Sequence, residues 1–110
     1  MAEVKTVGEE TAIEEIRLML NIEGGGGGFW LGGAKVNNQW RWDHSKQEIP
    51  MKDDGEFNSW RTNEPNNREN ENCLSFWRLV KEGHWTDDFC NHKRPFVCQY
   101  ENGLFSFCFF

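Results

Sequence analysis

Glu64-Pro65-Asn66, then Glu71 two residues ahead of Cys73, then Trp85-Thr86-Asp87-Asp88 running into Cys90, set carboxylate and amide oxygens around a pair of cysteines. Calcium takes roughly six to eight such oxygens at about 2.3–2.6 Å. A protein that offers only four or five leaves coordination positions open, and the hydroxyls of a sugar diol suit them. These stretches read as one calcium site assembled across a disulfide.

The rest of the composition makes such a site credible. At 110 residues the chain is one small domain, near the size at which a core benefits from covalent staples. Its four cysteines, Cys73, Cys90, Cys98 and Cys108, fit a disulfide role in an oxidising compartment, with three connectivities open. A formal net charge of −6 argues against a nucleic-acid partner and is compatible with cation binding. Six tryptophans and nine phenylalanines require a packed interior, so the indoles are read as core rather than as sugar platforms. No apolar run approaches the roughly 20 residues of a membrane span. Residues 1–10 lack the basic start and apolar stretch of a signal peptide, so the chain is expected to begin inside a longer precursor or to be a fragment.

Along the chain, Thr6 with Glu9 forms a capping-box signature, and Ile13, Ile16 and Leu20 follow at helical spacing, which predicts a helix from about Gly8 to about Leu20. Asn21 and the glycines Gly24 to Gly28 end it as a surface loop. Phe29 to Gly33 and Trp40 to Trp42 read as short strands, followed by a long loop from Asp43 to Asn72. Strand character returns at Cys73 to Val80, His84 to Thr86 and Pro95 to Tyr100.

Phe29-Trp30-Leu31-Gly32, Trp60 before Glu64-Pro65-Asn66, Glu71 before Cys73, Trp85 with Asp87 before Cys90, and Phe96-Val97-Cys98 together resemble a C-type lectin domain. The resemblance covers about residues 2 to 100. It implies an α+β, C-type lectin-like fold with one retained helix, short antiparallel strands and a long calcium-binding loop region. It implies that Glu64, Asn66, Glu71 and Asp87 hold Ca2+ and bond sugar hydroxyls, that Pro65 is cis, and that Cys73 pairs with Cys90. Glu-Pro-Asn goes with mannose-type sugars in that family. The implied function is calcium-dependent binding of mannose-type glycans by a secreted or extracellular lectin domain, with oligomeric state open. The alternative is a domain of the same fold that binds a protein without sugar, or a non-functional fragment.

Two departures qualify these expectations. Thr86 stands where sugar-binding members carry Asn, and its shorter side chain predicts weaker calcium binding or altered sugar binding; Asp88 beside it should point the other way in a strand. Ahead of Ala2 the family has a strand, a helix and a cysteine that pairs with the position of Cys98, so residues 1–100 read as an N-terminally truncated domain and 101–110 as an atypical apolar tail. In that tail Asn102-Gly103 predicts a two-residue hairpin turn that sets Cys98 opposite Phe107 and turns Cys108 to the other face, which disfavours a Cys98–Cys108 bond. Amides at Asn67 and Asn72 argue against a second calcium site. A hydrolytic set of His84, His92, Asp87 and Glu64, or a zinc set of Cys73, Cys90, His92 and Cys98, lacks any recognised spacing, so an enzyme is not expected.

Overall fold

The computed structural model describes residues 1–20, 28–66, 69–77 and 84–108. One helix, α1 (Val7–Leu20), precedes six strands: β1 (Gly28–Val36), β2 (Gln39–Trp42), β3 (Cys73–Trp77), β4 (Trp85–Asp88), β5 (Phe96–Gln99) and β6 (Phe105–Cys108). The α+β expectation holds. At the start of α1 the Glu9 N–H donates to Thr6 Oγ1 at 3.1 Å, and the Glu9 carboxylate accepts from the Lys5 N–H at 3.0 Å, so the cap reaches one residue further back than a standard capping box. Ile13 is fully buried and Ile16 packs beside it, which is the face the helical spacing defined.

The sheet runs β4-β3-β1-β5-β6, with β2 also paired to β1. All pairs are antiparallel except β1 with β5, which meet in parallel at Trp30 and Phe96. Asn37 and Asn38, at φ of 53° and 64°, join β1 to β2 as a two-residue turn with left-handed backbone at both positions, a conformation asparagine tolerates. Gly28 belongs to β1 rather than to the expected glycine loop. The Trp77 indole lies over it, so that a Cβ there would come within 3.1 Å of the ring. Gly24 to Gly27 lie outside the described residues, as do Arg78 to Val80 of the expected third strand.

Beyond the parallel contact, β1 and β5 diverge, and the N-terminal segment fills the gap. The Ala2 N–H donates to the Val97 carbonyl at 2.8 Å, while the Ala2 carbonyl accepts from Gly32 at 2.7 Å. Glu3 is buried too. Burial would raise its pKa, but the Ser45 and His44 groups and Lys5 outweigh that effect and hold it below the usual value. The closeness of this segment explains Gly32: a Cβ there would sit 2.9 Å from the Met1 carbonyl oxygen and 3.1 Å from that of Ala2, both rigid backbone. Gly32→Ala is therefore expected to destabilise the fold by about 1–3 kcal/mol, the usual range for overpacking, as read by chemical denaturation.

The core lies between the sheet, the helix and the long loop. Trp42, Trp60 and Trp85 meet edge to face, with Trp40 against Trp60. Phe29 contacts Phe76 and Phe107. Five of the six indoles are buried, at positions 30, 40, 42, 60 and 85, in line with a core role. Trp77 is the exception, half-buried at the wall of a cleft described below.

The expectation for the last two cysteines is overturned: Cys98 is bonded to Cys108, alongside a Cys73–Cys90 bond. The hairpin has a three-residue loop, Glu101 to Gly103. Tyr100 faces Leu104 across it through an N–H to carbonyl bond of 2.9 Å, and Gly103 takes the left-handed position at φ 85°. Cys98 then faces Ser106, not Phe107. Because side chains alternate along a strand, this one-residue change of register returns Cys108 to the face of Cys98, with their Cα atoms 6.1 Å apart. The last strand is thus clasped to the sheet, and Phe107 is part of the core.

Candidate functional site

The long loop is carried to the outer edge of the sheet by its middle. Trp60 bridges Trp85 in parallel, with the Trp85 N–H donating to the Ser59 carbonyl at 2.8 Å and the Arg61 N–H to the Trp85 carbonyl at 3.0 Å. A turn follows, closed by the Glu64 N–H on the Arg61 carbonyl at 2.9 Å, with Asn63 in the left-handed region at φ 66°. The Glu64–Pro65 peptide bond is cis. The loop then reaches β4 itself, because the Asn66 N–H donates to Asp87 Oδ1 at 3.1 Å, and the Asn66 amide Nδ2 donates to Glu64 Oε1 at 3.2 Å.

These residues wall a cleft of about 350 Å³, lined by Glu64, Asn66, Glu71, Thr86 and Asp87 together with Arg61, Thr62, Trp77 and Asp88. All five residues singled out in the sequence therefore share one cleft. Strand β4 begins and ends later than expected, so that Asp87 and Asp88 lie within it rather than beyond it. Its pairing with β3 runs as far as Cys73 opposite Asp88, next to the Cys73–Cys90 bond. Asp87 and Trp85 share one face of β4; Trp85 enters the core while Asp87 meets the loop. Asp88 is turned to the other face, where it pairs with Arg94 at 2.9 Å.

Burial and like charge act on Glu64 in the same direction. Burial, then the neighbouring Asp87 carboxylate, then the charge of Glu71 push the Glu64 carboxyl up to about 7, against a smaller opposing effect of the Asn66 amide. Asn66 links Glu64 and Asp87, its backbone N–H on Asp87 and its side-chain amide on Glu64. Among the described residues no three His, Cys, Asp or Glu side chains converge as a closed metal cluster. The donor chemistry still fits calcium: every candidate group offers oxygen, and a cation would offset the like charge that acts on Glu64.

Thr86 is committed elsewhere. Its hydroxyl lies 2.9 Å from that of Ser75, directly opposite on β3, and Ser75 Oγ also accepts from the Trp77 indole N–H at 2.9 Å. Ser75 and Trp77 were not singled out in the sequence. Their link to Thr86 depends on the β3–β4 register, and no local pattern reports that register.

Fold and cleft together define a small disulfide-bonded α+β domain that presents oxygen donors beside a long loop. The model of the lectin C-type domain family matches residues 7–100, and the chain belongs to the C-type lectin domain family. It is 33% identical over 72 residues to E-selectin of Equus caballus, covering 64% of this chain and 11% of that protein. It is 33% identical over 78 residues to the C-type lectin lectoxin-Enh5 of Pseudoferania polylepis, covering 70% and 46%. To a perlucin-like protein of Mytilus galloprovincialis it is 33% identical over 74 residues, covering 64% and 43%. The chain spans less than half the length of each of these relatives. Among the described residues no helix is long and apolar enough to cross a membrane.

Proposed function

We propose that this domain binds mannose-type glycans in a calcium-dependent manner outside the cell, as a binding module and not an enzyme. The observation that carries the reading is the meeting of Glu64, Asn66 and Asp87 in one cleft at the cis Glu64–Pro65 turn. Glu64, Asn66, Glu71 and Asp87 would hold the metal, with Thr86 the weakest candidate. A bound calcium would supply open coordination positions to two sugar hydroxyls. The carboxylates accept hydrogen bonds from those hydroxyls, and the Asn66 amide can donate to one. Residues 1–100 form the lectin-like unit in this reading, and 101–110 a tail that adds the edge strand. The engagement of Thr86 by Ser75 supports a second reading, in which the same cleft binds a protein surface without sugar.

Retention on immobilised mannose, with and without a chelator, tests the first reading: a folded protein that passes through in calcium-containing buffer refutes it. The pH dependence adds a second expected result. In the calcium-free protein a Glu64 carboxyl of pKa about 7 must lose its proton before it holds a metal, so calcium affinity is expected to fall about tenfold from pH 8 to pH 6. Calorimetric titration across that range checks it. An affinity that is flat down to pH 5 would remove Glu64 from the ligand set.

A further inference from the structure

We propose that Arg94 is a positioning residue for the cleft, acting through Asp88 and Trp77 on the strand that carries Asp87. Only 9% of Arg94 is exposed, an unusual burial for a guanidinium. Its Nη2 lies 2.9 Å from Asp88 Oδ2 and 3.2 Å from His92 Nδ1, and that imidazole nitrogen is 3.2 Å from Asp88 Oδ1. The guanidinium carbon lies over two indoles, 5.0 Å from the Trp77 ring centre and 5.6 Å from that of Trp30. Cation–π contacts of this kind strengthen when the cation is desolvated.

Each group touching Arg94 leads back to the cleft or to the loop beneath it. Asp88 is the residue after Asp87 in β4 and also accepts the Phe89 N–H at 2.8 Å, which fixes the turn leaving the strand. Trp77 lines the cleft and bonds Ser75, which holds the Thr86 hydroxyl. The Trp30 indole donates to the His92 carbonyl at 3.2 Å and pins the loop that returns to β5. One planar cation thus ties the end of edge strand β4 to β3 and β1 from the face opposite Asp87. Arginine suits this role because its flat, delocalised guanidinium offers a broad face to the indoles while keeping its charge beside Asp88, which a lysine ammonium cannot do.

The inference rests on the calcium reading of the cleft, and its test separates the two. Arg94→Met keeps the aliphatic stem and removes the fork; Arg94→Lys keeps the charge. In the full chain, Arg94→Met is expected to weaken calcium binding by about 10–100-fold, the usual cost of losing a group that orients a ligand, with Arg94→Lys intermediate. In calcium-free protein, Arg94→Met is expected to speed amide hydrogen exchange at Asn66 and at residues 86–88 by at least tenfold, with no change at Phe105 to Cys108. Calcium binding within twofold of the parent, or uniform exchange at all these positions, overturns the proposal. If the parent protein binds no calcium, the functional reading fails, and the exchange pattern alone still decides the role of Arg94.

Discussion

Asp87→Asn is expected to weaken calcium binding beyond the roughly 10–100-fold that loss of an orienting partner costs, and to abolish chelator-sensitive retention on mannose. The substitution preserves shape, and the Asn oxygen can still accept the Asn66 N–H that now bonds Asp87 Oδ1. What it removes is one of the three carboxylate charges that the proposed site would offer to the cation. The same change has an opposite effect on the calcium-free protein. A carboxyl whose folded pKa is raised contributes stability that is present below its unfolded pKa and lost as pH rises through the folded value, here about 7 for Glu64. Without the Asp87 charge Glu64 titrates closer to normal, so in chelator at pH 8 the variant should melt no lower than the parent. Loss of calcium binding together with a lowered melting temperature in chelator would mean that Asp87 is a structural residue. Calorimetry and melting at pH 6 and 8 separate these outcomes.

Phe107→Ala is expected to destabilise the domain by about 3–5 kcal/mol, as for other buried phenylalanines. That is a large share of the roughly 5–15 kcal/mol that holds a typical domain together, and should lower the melting temperature by more than about 10 °C. The side chain is 8% exposed and meets the Phe29 ring edge to face at 4.9 Å. The Cys98–Cys108 bond keeps β6 attached in the variant, so the measured loss reports the cavity rather than release of the strand. A loss under 1 kcal/mol would mark residues 101–110 as an appendage. A large loss would make the final strand part of the domain's foundation.

The fold was legible in the sequence wherever a local rule governs. The Thr6–Glu9 cap and the spacing of Ile13 and Ile16 reported the helix, and alternation around Trp40 and Trp42 reported β2. The family motifs, whose order and spacing carried the resemblance, led to the C-type lectin fold that the family match bears out. Gly28 was misassigned because a run of glycines carries no record of the indole that lies over its last member. The Cys98–Cys108 bond was missed because Asn102-Gly103 serves a two-residue or a three-residue loop equally well, and that single residue decides which face Cys108 occupies.

For the cleft, the sequence by itself determined the chemistry: three carboxylates, an amide and a hydroxyl, all oxygen donors, flanking two cysteines. Only the tertiary structure decided which of them meet. It joined Asn66 to Asp87, turned Asp88 away to Arg94 and gave the Thr86 hydroxyl to Ser75. Side-chain chemistry is local and can be read residue by residue. The facing of β4 depends on its register with β3, on the bridge from Trp60 and on a buried cation that lies over two indoles, contacts between residues far apart in the chain that only folding brings together.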